Sequence, residues 1–256
     1  MKCFFYLYTM ISRFLHHLGS YTLMLGGMFS RPENTKVYWK EYMQQAYDIG
    51  IRSLPIVIII SVFLGAVMTV QTAYQLVSPM IPKYVIAQVV RDSVILELAP
   101  TIICIVLAGV VGSKIASELG NMRVSEQIDA FETMGINTKA YLILPKIFVS
   151  VLLIPCLIIL AISLSIGGGY FTAVSGNIMS AEQYKYGLIE GFESFNILVA
   201  IVKATVFAFI ISSVPSYYGY NVKGGALEIG KSSTTAVIVT CIMILLADYI
   251  ITLIML

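Results

Sequence analysis

The chain has 256 residues, 58% hydrophobic and only 12% charged, with mean hydropathy +0.88. Soluble domains carry roughly 25% charged residues, and so much apolar surface could not be covered in water. The formal net charge of +2 is small and dispersed, which excludes the concentrated basic face that nucleic acid requires.

The N-terminal stretch Met1–Phe29 sets Lys2, Arg13, His16 and His17 among apolar residues. Arg13 interrupts the first apolar run and no small-residue cleavage site follows, so an interfacial amphipathic helix is expected rather than a signal peptide. His16 and His17 are adjacent and would point about 100° apart on a helix, a poor geometry for one metal. Residues 1–52 are read as interfacial and cytoplasmic, and 53–256 as the membrane domain. Cys3, Cys104, Cys156 and Cys241 form no C-x-x-C pair, and three of them lie in apolar runs, where packing is their ordinary role.

About 20 apolar residues cross a bilayer, and five runs are long enough. Leu54–Val77 has no charge. Val94–Ser113 contains Glu97. Tyr141–Val174 contains Lys146 near its start; it is longer than needed, and Pro155 predicts a kink. Phe195–Tyr220 contains Lys203, and Ser232–Leu256 contains Asp248. The expected fold is an all-α membrane protein: an N-terminal interfacial helix, five transmembrane helices and a polar cytoplasmic helix between spans two and three.

Basic residues orient the chain. Lys2, Arg13, Arg31, Lys36, Lys40 and Arg52 share a side with Lys114, Arg123, Lys139 and Lys146, and with Lys223 and Lys231. These twelve oppose only Lys83, Arg91 and Lys185, which places the N-terminus in the cytoplasm and the C-terminus outside.

Between spans two and three lies a polar island, residues 117–139 (SELGNMRVSEQIDAFETMGINTK). Gly120 and Asn121 are expected to end the preceding helix, with Asn121 as N-cap of a new one over about 121–135. Val124, Ile128, Phe131 and Gly135 fall on one face, with Glu126, Asp129 and Glu132 as an acidic stripe beside them. Gly135 supplies the C-cap. Acid facing an anionic leaflet is unfavourable, so the stripe suits a basic soluble partner.

Charges inside spans need a reason, because each is expensive in hydrocarbon. Glu97 and Lys203 fall at comparable depth and either lock span two to span four or line a polar cavity. Asp248 lies near the outer end of the last span, where it can reach the interface, and is read as structural. Ala108, Gly112 and Ala116 have the spacing of close helix contacts, and Gly65 and Ala66 interrupt the first span. Gly167, Gly168 and Gly169 predict either a close crossing or a helix break. Residues 177–194 read as a short external surface helix, a natural contact for a ring-forming partner.

At these residues the chain resembles the MlaE-type permeases of lipid-moving ABC transporters. The resemblance rests on FLGAVMTVQ at 63–71, LELAP at 96–100 and AGVVGSKIASELGNMRVSEQIDAFETMGIN at 108–137. LPK at 144–146, GGGY at 167–170 and GYNVKGGALEIGKSSTTAVI at 219–238 extend it, from about Tyr47 to the C-terminus. Two positions depart from the pattern: Val110 stands where the family usually has Arg, with Lys114 one turn beyond, and Thr138 stands where it usually has Pro. The resemblance implies a homodimer with two cytoplasmic ATP-binding subunits, beneath periplasmic MCE-domain lipid carriers. It makes the polar helix a coupling helix, assigned to Glu118, Arg123, Glu126, Gln127, Asp129 and Glu132. It also implies a phospholipid cavity between subunits, assigned to Glu97, Lys203, Gln71 and Tyr74. No cofactor or metal is implied, and the permease is not itself an enzyme.

Residues 225–232, GALEIGKS, match the phosphate-loop pattern letter for letter. That chemistry needs a preceding strand in an α/β domain, whereas this segment joins two spans, so no nucleotide site is assigned. An ion-coupled secondary transporter using Glu97, Lys203 and Asp248 is the main alternative, although five spans do not divide into equal repeats. A lipid-modifying enzyme would need a nucleophile–base or metal cluster, which is not visible.

Overall fold

The computed structural model describes residues 2–28, 35–76 and 82–255, with side chains from residue 15 and residue 39 onward in the first two stretches. Lys2, Arg13, Arg31 and Lys36, whose positive charge helped orient the chain, therefore lie outside the described side chains. No strand occurs among the described residues. In hydrocarbon every backbone N–H and C=O needs an internal partner, and an apolar helix provides one for each.

Among the described residues eleven α-helices follow in order: α1 Lys2–Gly27, α2 Thr35–Ile49, α3 Leu54–Gln75, α4 Tyr84–Ser93, α5 Ile103–Leu107, α6 Ser113–Val124, α7 Gln127–Thr133, α8 Leu144–Ser175, α9 Ala181–Ile189, α10 Ser194–Tyr220 and α11 Ala226–Met255. Five continuous runs are long and apolar enough to span: Trp39–Gln75, Tyr84–Val124, Lys139–Ser175, Ser194–Tyr220 and Ala226–Met255. The number of spans is as expected, but their limits are wider. The second run is 41 residues, because α4, α5 and α6 are joined by π-helical turns at Val94–Ile102 and Ala108–Gly112. The first run starts in α2, which passes through a tight turn at Ile51–Ser53 into α3. The third run begins with a π turn at Lys139–Ile143 and continues through Pro155 without a break.

Span α10 is the most buried of the five and α11 the least. α10 packs on α6, α8, α11 and the π turn at 94–102. Its contact with α6 is nearly backbone to backbone: a Cβ on Gly219 would meet the Ala116 carbonyl oxygen at 2.6 Å, and one on Gly112 would meet the Pro215 ring at 3.1 Å. Ala116 and Gly112 thus do what their small-residue spacing suggests. The α3–α8 crossing is tighter still. A Cβ on Gly65 would overlap the Ser165 carbonyl, and one on Gly168 the Val62 carbonyl, so the triple glycine marks a crossing and not a helix break.

The N-terminal helix docks on the α7 end of the bundle. His17 Nδ1 lies 2.8 Å from the Tyr217 hydroxyl, and Tyr21 donates to Ser213 at 2.7 Å. Asn137 donates to the Gly27 carbonyl at 3.0 Å and ties the end of α1 to the third run. Asp48 of α2 pairs with Lys114 of α6 at 2.8 Å.

At the other end α9 lies on α4. Ser180 and Gln183 form a reciprocal capping box at its start. Its C-terminus is held by Arg91, which is 2% exposed and donates to the carbonyls of Leu188 and Glu190 at 2.9 Å and Gly191 at 3.0 Å, while pairing with Asp92 at 2.8 Å. A cation is the natural partner for helix-terminal carbonyls. Tyr184 is fully buried and donates to the Ile166 carbonyl at 3.2 Å; burial pushes its phenol up to about 12, so it stays a donor.

Arg91→Lys keeps the charge but cannot fork across these carbonyls. Hydrogen exchange over residues 187–193 should then accelerate about tenfold or more, the equivalent of about 1.4 kcal/mol or more of lost local stability, with the spans unchanged. Unaltered exchange in that segment would show that Arg91 does not hold it.

Candidate functional site

The charges inside the spans meet in one cluster. Lys203 is 0% exposed, and its ammonium lies 2.8 Å from Glu97 Oε1, 2.8 Å from Asp248 Oδ1 and 3.0 Å from the Leu96 carbonyl. Thr252 donates to Glu97 at 3.3 Å and Thr101 to Asp248 at 3.2 Å. Three helical runs are joined: Glu97 and Thr101 from the second, Lys203 from the fourth, and Asp248 and Thr252 from the fifth.

Local sequence prepares the geometry. Glu97 sits in the π turn at 94–102, which also contains Pro100. Pro100 has no N–H and so interrupts the ladder of this turn, and the carbonyl of Leu96, next to Glu97, accepts from Lys203. The LELAP sequence thus supplies both a carboxylate and a carbonyl to the same ammonium. With both carboxylates ionised the cluster carries one surplus negative charge. The Glu97 side chain is 45% exposed and that of Asp248 15%, so the cluster opens on the Glu97 side.

Asp248, read as structural and close enough to the end of its span to reach the interface, is mostly buried and pairs with Lys203. Its depth in the last span, compared with that of Lys203 from the same side, was the available signal. Gln71 and Tyr74, assigned to the same cavity, are exposed on the last turns of α3, Tyr74 at 82%, and neither hydrogen-bonds to the cluster.

The polar island differs from the expected single helix over 121–135. α6 continues through Gly120 and Asn121 to Val124. Gly120 serves packing: a Cβ there would sit 3.2 Å from Ile229, at the start of α11. The break comes at Ser125 and Glu126. Glu126 has φ +58° and precedes α7, so it is the N-cap residue in place of Asn121 and lies outside the helical stripe. The C-terminus is as expected. Gly135 has φ +81°, its N–H reaches the Glu132 carbonyl and that of Ile136 reaches Phe131, both at 3.0 Å, which is a Schellman ending.

The charges around α7 have partners within the chain. Arg123 pairs with Asp129 at 2.6 Å and lies 5.9 Å from the Tyr220 ring centroid. Glu132 Oε1 accepts from the Tyr220 hydroxyl at 2.7 Å and from Thr138 at 3.1 Å. Glu118 pairs with Lys146 of α8, which is 1% exposed, at 2.8 Å. Ile128 is fully buried, whereas Glu126, Gln127, Ala130 and Met134 are exposed, as are Asp129 and Glu132 despite their partners. Tyr220 and Thr138 were not assigned as site residues from the sequence; the position of Thr138 among the departures from the family pattern was the one available hint. Val110 is 41% exposed, and Lys114 is engaged with Asp48. In the phosphate-loop look-alike, residues from Ala226 onward are helical and Lys231 pairs with Glu228 at 2.7 Å.

The second run thus turns into a short amphipathic helix at one end and carries the charged cluster at the other. The MlaE permease profile matches residues 42–254. The chain belongs to the MlaE permease family. A probable ABC transporter permease protein of Rickettsia bellii is 32% identical over 240 residues, covering 94% of this chain and 92% of that one. The chloroplastic protein trigalactosyldiacylglycerol 1 of Arabidopsis thaliana is 29% identical, covering 93% and 68%. A probable ABC transporter permease protein of Synechocystis is 27% identical, covering 93% and 90%. The chain is thus an all-α, multi-pass ABC transporter permease of this family.

Removing the buried ammonium leaves two carboxylates facing one apolar space. Lys203→Met should therefore cost about 3–5 kcal/mol and lower Tm in detergent, while Asp248→Asn, which leaves Lys203 paired with Glu97, should cost less. Adding Glu97→Gln and Asp248→Asn to Lys203→Met should recover part of the loss. A Lys203→Met protein melting with the parent would remove the ammonium as the joint between these spans.

Proposed function

We propose that this chain is the membrane subunit of an ABC transporter that moves phospholipid between the bacterial inner membrane and periplasmic MCE-domain carriers. A partner ATPase docks on α7 and supplies the energy. The N-terminus and α7 face the cytoplasm, the C-terminus and α9 the periplasm, and two copies enclose the lipid path. The supporting observation is the Glu97–Lys203–Asp248 cluster: a charged group buried among spans yet open through one carboxylate, a polar wall against which a zwitterionic or cationic headgroup part can rest while its chains stay in apolar surroundings. The family membership and the name of the chloroplastic relative favour lipid as the cargo class.

The surplus carboxylate equally suits a proton relay, which is the ion-coupled alternative. The two readings separate in proteoliposomes containing the permease and its ATPase. ATP alone, with no ion gradient, should move labelled phospholipid. Transport that needs a gradient and ignores ATP favours the alternative.

Exchanging Glu97 and Lys203 is not an informative test of headgroup binding. A carboxylate at 203 would face Asp248, so the exchange would fail for structural reasons alone. Glu97→Gln is the better variant, since Lys203 keeps Asp248. It should assemble normally yet move phospholipid about tenfold more slowly, as one lost contact of about 1.4 kcal/mol implies. Normal transport by this variant removes Glu97 from the lipid path.

For α7, reversing all three acids would also break the Arg123 and Tyr220 contacts. The docking face is tested instead by Glu126→Lys with Gln127→Lys, both exposed. The pair should weaken co-purification of the ATPase by about tenfold or more, because like charge across an interface is strongly unfavourable. Retained association would move the docking face elsewhere.

A further inference from the structure

Besides the apolar packing of Ile128 and Phe131, the polar side-chain contacts of α7 with the rest of the chain gather around Tyr220. Glu132 Oε1 takes hydroxyl donors from Tyr220 at 2.7 Å and Thr138 at 3.1 Å, and these two hydroxyls lie 2.8 Å apart. Thr138 is 3% exposed and Tyr220 9%. On the other flank, Asp129 is paired with Arg123, whose guanidinium lies over the Tyr220 ring. Tyr220 is therefore gripped on its hydroxyl and on its face by residues of α7 and α6.

The two helices that meet here are the two that carry the charged cluster. Tyr220 is the last residue of α10, which holds Lys203. Arg123 is the penultimate residue of the helical run that begins at Tyr84 and holds Glu97. At a rise of about 1.5 Å per residue, the 17 residue steps from Lys203 to Tyr220 correspond to roughly 25 Å of helix. Close to Tyr220, at Gly219, α10 touches α6 with no side chain between them. A displacement of α7 through Glu132 is thus applied to α10 and α6 together; α10 stays helical through Pro215 to Lys203, and the second run continues through its two π turns to Glu97.

We infer that the Tyr220–Thr138–Glu132 cluster is the transmission joint: its hydroxyl–carboxylate bonds convert movement of the docked α7 into movement of α10 against the second span at Lys203 and Glu97. These are positioning residues, acting at a distance from the cargo, and the inference rests on the ATPase-driven reading above. Coupling between distant sites needs a physical element that both ends bias, and a helix gripped at each end by polar contacts is one.

The test uses the full permease–ATPase complex in nanodiscs and proteoliposomes, with a fluorescent non-natural amino acid at Ile197, an exposed position near the start of α10. Tyr220→Phe with Thr138→Val removes both hydroxyls while the ring, the Arg123–Asp129 pair and the Glu132 carboxylate remain. The complex should still assemble and hydrolyse ATP. Its nucleotide-dependent change in Ile197 fluorescence should fall about fivefold or more, with phospholipid moved per ATP falling alongside. Glu132→Gln retains an acceptor oxygen and should keep at least about half of both signals. A double variant whose fluorescence change stays within about twofold of the parent overturns the inference. So does loss of ATPase association, which would make these residues part of docking; if the double variant does not fold, Tyr220→Phe alone is read by the same criteria. A parent complex that hydrolyses ATP and shows the fluorescence change without moving phospholipid defeats the lipid reading alone.

Discussion

The arrangement of spans depends on how one ammonium group is kept away from water. Lys203 stands in the most buried span, and no polar group of its own helix satisfies it. Two carboxylates and a carbonyl do so, brought from the second and fifth runs. An uncompensated charge at such a position costs several kcal/mol, which compares with the whole stability of many domains. The helices bearing Glu97 and Asp248 must therefore lie beside α10 in one register. The π turn around Glu97 follows from the same demand. It shifts the second run's helical phase where Pro100 already breaks the hydrogen-bond ladder, and π turns of this kind concentrate at sites with such local duties.

Much of the fold was legible because hydrophobic length and charge exclusion act on single segments. The five spans, the small-residue contacts of Gly112 and Ala116, and the Gly135 ending all depend on local sequence. The extents of the spans were less legible. α4 contains Gln88, Arg91 and Asp92 and does not read as membrane helix, yet it continues into the apolar run because Arg91 has its charge absorbed by the end of α9. Gly120 and Asn121 read as a break because glycine is a weak helix former, but close packing against Ile229 uses the missing side chain and keeps the helix intact. The third member of the charged cluster was hidden for a different reason. A sequence shows that a charge is costly, and not which of several distant charges answers it.

The acidic island shows a similar gap between composition and geometry. Its acids suggest a stripe aimed at a basic partner. In the folded chain, however, Asp129 and Glu132, although exposed, are engaged by Arg123, Tyr220 and Thr138, and Glu118 by Lys146, while Glu126 stands exposed at the N-cap of α7. Recognition by a soluble partner would then depend more on the shape of α7 and on Gln127, Ala130 and Met134 than on net charge. Exposed ion pairs contribute only about 0–1 kcal/mol each, so using these acids internally sacrifices little binding energy while fixing the helix in place.

The bundle combines two kinds of helix contact with different mechanical consequences. α3 and α8 cross where Gly65 and Gly168 bring each backbone against the other, with no room for a Cβ. Sliding one over the other would open voids or force overlap, because packed interiors deform poorly. The second run, α10 and α11 are joined at one end by Lys203 and its carboxylates, while at the other end α10 meets α7 through the Tyr220–Glu132 contact and the second run through Arg123 over the Tyr220 ring. Polar contacts of this type can exchange one acceptor for another, or for water, without leaving a cavity. A rearrangement confined to α6, α7, α10 and α11 would leave the α3–α8 pair as a fixed frame. Glu97 is where such a movement would be felt: it is the cluster's exposed carboxylate and lies on the run that ends beside α7.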